Sequence, residues 1–158
     1  AMGKGHFDSF YLVDFEATAI PTLQQTGQYD TIVASEFLEH TIRPAAVLHK
    51  MKALMKKKGR LIVTVPSGES LAMQVDKALH AGEWGRFEVF HKNHISLLSQ
   101  PEWEATFERV GLQIDVFDFR PTDIVEGFPS EKVPLWKTIC GLNTQSMAHQ
   151  YMYVLKER

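Results

Sequence analysis

The sequence predicts an α/β domain: a three-layer sandwich around a mostly parallel sheet, with an antiparallel C-terminal edge. Three observations carry this. Strand-like and helix-like patterns alternate along the chain, which places helices against the faces of a parallel sheet. Two of the strands, around Thr31-Ile32-Val33 and Leu61-Ile62-Val63-Thr64-Val65, are apolar on both faces, as central strands covered on both sides are. The last two strand-like runs follow each other closely enough for an antiparallel pair.

Each element has its own local signal. Ala1-Met2-Gly3 reads as the remnant of an expression tag, and residues 1–9 are expected to be a flexible N-terminus. Residues 10–158 are expected to form a single domain. Phe10 to Phe15 (FYLVDF) reads as a short strand, followed by the loop signals Pro21 and Gly27. Tyr29 to Ser35 is the second strand. Pro44 suits the first turn of a helix because its φ is already fixed. Val47, Leu48, Met51, Leu54 and Met55 recur on one helical face. Gly59 is expected to end this helix in a left-handed conformation, with Lys56-Lys57-Lys58 favoured at its C-terminus by the helix dipole. Residues 61 to 65 form a strand stopped by Pro66. Ser70 caps a helix through residue 80. An irregular aromatic stretch, GEWGRFEVFHKNHIS, comes next. Ser99 and Glu102 make a capping box before a helix whose apolar face is Trp103, Phe107 and Val110 and whose end is Gly111. Leu112 to Phe119 is a strand, residues 131 to 140 a short helix, and Ala148 to Lys156 the last strand.

Composition narrows the function classes. Seventeen basic residues against 19 acidic ones give a net charge of −2, so electrostatics does not favour nucleic acid or an anionic membrane. No apolar run reaches membrane-spanning length. The single cysteine, Cys140, allows no internal disulfide and fits a reducing, cytoplasmic setting. It lies among apolar neighbours, as an inert buried thiol does.

In open parallel sheets ligands bind beyond the carboxyl ends of the strands. Three such ends carry polar groups: Asp14 with Glu16, then Ser35, Glu36, Glu39 and His40, then Ser67 and Glu69. Each group has two readings. Asp14 is a hydrogen-bond acceptor for a ligand or a turn-forming acid. Glu36 and Glu39 are site carboxylates or solvated acids near the following helix. His40 is a proton acceptor or a satisfied structural histidine. Trp84, Phe87, His91 and His94 wall a substrate pocket, or the aromatics among them cover the neighbouring helix. Glu36 and His40 stand four apart and His91 and His94 three apart, yet neither pair makes a dense ligand motif, so no metal is expected. Gly-x-Ser-x-Gly is absent. A carboxylate-based hydrolase using Glu36, Glu39 and His40 is the remaining alternative class.

The stretches YDTIVASEFLEH and TIRPAAVLHKMKALMKKKGRLIVTVPS resemble the class I S-adenosylmethionine-dependent methyltransferases, in the subgroup with Leu-Glu-His after the fourth strand. HKNHISLLSQPEWEATFERVGLQI is similar to a later segment of that family, and LVDFEA to the acidic end of its third strand. The likeness runs from about residue 10 to 119. It implies a Rossmann-like fold and methyl transfer from S-adenosylmethionine to an unidentified acceptor, for which a small molecule is as suitable as any class. It also implies roles. Asp14 accepts from the adenine amino group, with Phe15 beside the ring. Ala34, Ser35 and Glu36 line the methionine side, and Leu38 and His40 stand near the methyl-transfer centre. The chain departs from the family before FYLVDF, where the first strands and the glycine-rich cofactor loop are expected. GKGH follows no strand and is not that loop. A domain truncated in this way leaves a sheet edge beside residues 29–35. The alternative reading is therefore a non-catalytic scaffold or interaction module, covered at that edge by a second copy or a partner chain.

Overall fold

The computed structural model describes residues 12–17, 27–68, 74, 94–121 and 148–158. Of the expected helix over 70–80 only Gln74, which is helical, is described; the expected helix over 131–140, Cys140, and the pocket residues Trp84, Phe87 and His91 lie outside the described residues. The described chain runs β1 (Tyr29–Ser35), a 3-10 turn (Leu38–His40), α1 (Pro44–Leu54), β2 (Met55–Pro66), α2 (Gln100–Val110), β3 (Leu112–Pro121) and β4 (Ala148–Glu157). The strands form one sheet in the order β1-β2-β4-β3. β1 and β2 are parallel, whereas β4 is antiparallel to both β2 and β3. The antiparallel C-terminal edge is as expected. Among the described strands, however, the sheet is mixed rather than mostly parallel, because β4 inserts between β2 and β3.

Alternation explains the core. Leu61, Val63 and Val65 of β2 and Tyr151, Tyr153 and Leu155 of β4 point to one face and are buried. On that face they meet Val47, Leu48 and Met51 of α1 and Trp103, Phe107 and Val110 of α2, the stripes read from sequence. Trp103 stacks on Phe107 at 6.1 Å between ring centroids, and Phe107 meets Tyr153 edge-on at 4.9 Å. Among the described residues, both helices cover this one face. Along the opposite face, Val33, Ile62, Val154 and Val116 stand in register across all four strands, and Val33 and Val116 are exposed.

The helix ends illustrate local chemistry. At α2, the Glu102 carboxylate accepts from the Ser99 amide and hydroxyl, both at 2.8 Å, and Gly111 closes the helix at φ 76°. Lys52 of α1 donates to the carbonyls of Val110 and Gly111 at 3.2 and 3.1 Å, so a cation sits at the negative end of α2.

Three expectations are corrected. First, Gly59 does not terminate α1, which ends at Leu54 with Met55 already extended. Between the pairs Tyr29–Met55 and Thr31–Arg60, β1 advances two residues and β2 five. The lysine run therefore sits in a bulge, where Lys56 pairs with Asp30 at 2.7 Å. Gly59 is needed there for close approach: a Cβ would stand 2.9 Å from the Tyr29 carbonyl oxygen. Second, β1 is not central among the described strands. It is an edge among the described strands, and Val33 is 63% exposed. Third, the described part of FYLVDF is no strand: residues 12–14 are irregular and 15–17 form a turn. No helix among the described residues is long and apolar enough to cross a membrane.

Candidate functional site

The carboxyl ends of β1 and β2 lie side by side, and the residues just beyond them build the site. Ser35 Oγ stands 2.9 Å from Thr64 Oγ1 on the neighbouring strand. Thr64 in turn donates to Glu36 Oε1 at 3.1 Å, and Gln150 of β4 donates to the same oxygen at 2.8 Å. Since the threonine hydroxyl has one proton, Ser35 is the donor to Thr64 and the three groups form a relay. Glu36 has φ 47°, a left-handed conformation that costs a non-glycine residue on the order of 1 kcal/mol. It is held there because its amide donates to the Thr64 carbonyl at 3.0 Å and hydroxyl at 3.2 Å. Three strands thus fix one exposed carboxylate.

The 3-10 turn comes next. Leu38 is fully buried in the core and anchors it, and Thr41 Oγ1 closes it on the Leu38 carbonyl at 2.7 Å. The turn then receives a distant segment. The amides of Ile95 and Ser96 donate to the Glu39 carbonyl at 2.7 and 2.9 Å, and Ser96 Oγ donates to the Thr41 carbonyl at 2.6 Å. The end of β2 joins the same segment, where the Gly68 amide donates to the Leu98 carbonyl at 3.1 Å. A Cβ at Gly68 would stand 2.7 Å from the carbonyl oxygens of Leu97 and Leu98, so this approach requires glycine.

This stitching delivers His94 to His40, their rings 4.8 Å apart at 66°. Between them and the core sits Glu39, whose side chain is 0% exposed. Neither of its carboxyl oxygens accepts a hydrogen bond from a described side chain. His40 Nε2 stands 3.8 Å from Oε1, beyond hydrogen-bond reach. Burial pushes the Glu39 carboxyl up to about 7; its own backbone amide opposes the rise, the Glu36 charge adds to it and His40 opposes it. Of the two readings of Glu39, its burial excludes the solvated acid.

The segment around Asp14 docks on α1 instead of entering the sheet. Asp14 Oδ1 accepts from the Glu16 amide at 2.8 Å, a turn contact. Phe15 meets Phe37 edge-on at 5.7 Å. Glu16 Oε1 accepts from the amides of Ile42 and Arg43 at 2.8 and 3.0 Å, just before Pro44 opens α1. Lys50 donates to the carbonyls of Phe15 and Ala17.

Of the residues expected at a site, the structure joins Ser35 to Glu36 and His40 to His94, and places Asp14 and Phe15 near the start of α1. Ala34 and Leu38 are core residues. Sequence reasoning passed over Thr64, Gln150 and the burial of Glu39. A lone threonine inside the apolar run Leu61 to Val65 was the one local signal.

A family model described as a methyltransferase domain matches residues 4–115. No curated protein gives a match. Among solved structures, a SAM-dependent methyltransferase from Thermotoga maritima shares 14% identity at TM-score 0.57, over 85% of this chain and 58% of its own. One from Archaeoglobus fulgidus shares 14% at TM-score 0.54, over 84% and 61%. The magnesium protoporphyrin IX methyltransferase of Synechocystis, solved with bound SAH, shares 13% at TM-score 0.52, over 86% and 48%. The chain thus spans less than two thirds of each, and at such identity the likeness shows the fold: a Rossmann-like methyltransferase sheet.

Proposed function

Because the chain belongs to the methyltransferase-domain family, we propose that it takes part in methyl transfer from S-adenosylmethionine, with the ends of β1 and β2 as part of the cofactor site. One observation carries this reading: Glu36, held in a left-handed conformation by Thr64 and Gln150, presents a fixed carboxylate at the strand ends. An anion locked before a ligand arrives suits a cationic ligand group, because no reorganisation is needed on binding. The residues present fit part of the cofactor. Ser35 and Glu36 offer polar contacts for the methionine side, and Asp14 and Phe15 serve the adenine side. When bound, the cofactor supplies an electrophilic methyl group on a sulfonium. The work left to this chain is positioning and control of the acceptor's proton. His40, 40% exposed, stands where an acceptor hydroxyl or amine would be met, and His94 backs it.

Calorimetric titration tests the reading. The folded chain should bind S-adenosylmethionine saturably, with S-adenosylhomocysteine competing. Glu36→Gln should weaken S-adenosylmethionine by about tenfold, roughly 1.4 kcal/mol. It should weaken the uncharged thioether product less. An absence of heat at millimolar cofactor would sink it.

A specific observation favours a second reading. β1 offers an edge among the described strands, with Val33 exposed beside it. A non-catalytic scaffold that dimerises through this edge would pair the backbone groups along it. Light scattering should then give twice the 18.0 kDa chain mass, and a clean monomer at tens of micromolar would count against it.

A further inference from the structure

We propose that Glu39, His40 and His94 bind a divalent transition-metal cation, a role independent of the methyl-transfer reading. The geometry comes first. One ligating atom from each residue lies within 4.8 Å of the other two. Ligands held at about 2.1 Å from one ion stand up to about 4.2 Å apart. Side-chain movements of under about 1 Å therefore close the set.

The second observation is the state of Glu39. Its carboxyl group is fully buried, and no described side chain donates to it. A carboxylate removed from water without a partner is unfavourable unless a counter-charge arrives. Here the two groups beside it are imidazoles, which together with one carboxylate form a borderline nitrogen and oxygen donor set. Such a set suits zinc, manganese, iron or cobalt in preference to calcium or magnesium.

The third is preorganisation. Glu39 and His40 are consecutive in a turn anchored by buried Leu38, and the Ile95 and Ser96 amides pin the segment that carries His94 to the Glu39 carbonyl. The ligands are thus placed by backbone hydrogen bonds rather than by chance proximity of flexible side chains. Three protein ligands leave further coordination positions, and the exposed side of His40 opens them to solvent.

The test uses tag-free protein freed of metal with a chelator, titrated with Co²⁺ by visible absorption and with Zn²⁺ by calorimetry, without S-adenosylmethionine. One ion per chain is expected, with Glu39→Gln and His94→Ala each weakening it at least 30-fold. His49→Ala, on exposed α1 surface, should leave it unchanged. Circular dichroism checks folding, and if Glu39→Gln does not fold, His94→Ala decides. No saturable uptake by the folded chain, or uptake that survives His94→Ala, overturns the site. Uptake by a chain that ignores S-adenosylmethionine supports the metal site and removes only the methyl-transfer reading. Cofactor binding without metal uptake does the reverse.

Discussion

Phe107→Ala is expected to cost about 3–5 kcal/mol, the range for deleting a fully buried aromatic ring. Phe107 is 0% exposed and joins Trp103 on its own helix to Tyr153 on β4, the strand between β2 and β3. Its loss would leave α2 without its central contact on the sheet. The neighbouring elements cannot collapse into the gap, because Lys52 and the Ser99–Glu102 cap hold both ends of α2. A domain of this size is stable by about 5–15 kcal/mol, so the variant should unfold at much lower urea with an unchanged slope. Glu108→Ala, which removes an exposed ion pair with Arg158 at 3.0 Å, should move the midpoint little, since exposed pairs contribute about 0–1 kcal/mol. A Phe107→Ala cost below about 1.5 kcal/mol would mean that α2 does not seal this face.

What could be read from the sequence was local. Tyr29–Ser35 and Leu61–Pro66 announced themselves as apolar runs, and the Ser99–Glu102 box and Gly111 act on residues within a turn of themselves. Misreadings arose where one local signal serves two purposes. Gly59 is a glycine because a neighbouring strand's carbonyl comes close, not because a helix ends there. FYLVDF is apolar enough for a strand, yet Phe15 finds Phe37, and Glu16 and Lys50 tie the segment to the start and side of α1. Within the site, Glu36 and Glu39 look alike in sequence and end in opposite environments. Glu36 reaches hydroxyl and amide donors on β2 and β4. Glu39 is covered by the distant segment around Ile95 and Ser96, through backbone bonds that no side-chain pattern encodes.

That difference sets the second large effect. In metal-free protein, stability should fall by up to about 3 kcal/mol as pH rises from 4.5 to 7, through Glu39 alone. Its carboxyl group titrates at 4.5 in an open chain and at about 7 in the fold. Below 4.5 both states are protonated, and the folded state holds its proton more tightly, so the contribution is fully present. As pH rises the unfolded chain releases its proton first, and the contribution is gone once pH passes about 7. Of the groups facing Glu39, the Glu36 charge reinforces the rise, and His40, beside His94, opposes it. Comparing wild type with Glu39→Gln isolates the carboxyl, because those neighbours are common to both. The variant should lack this slope and be the more stable protein above about pH 7. Urea unfolding at half-unit pH steps in the presence of a chelator measures both curves, and parallel curves would refute a buried, uncompensated Glu39. Added Zn²⁺ should then raise the wild type above about pH 7 and the variant much less, since the variant lacks the carboxylate ligand.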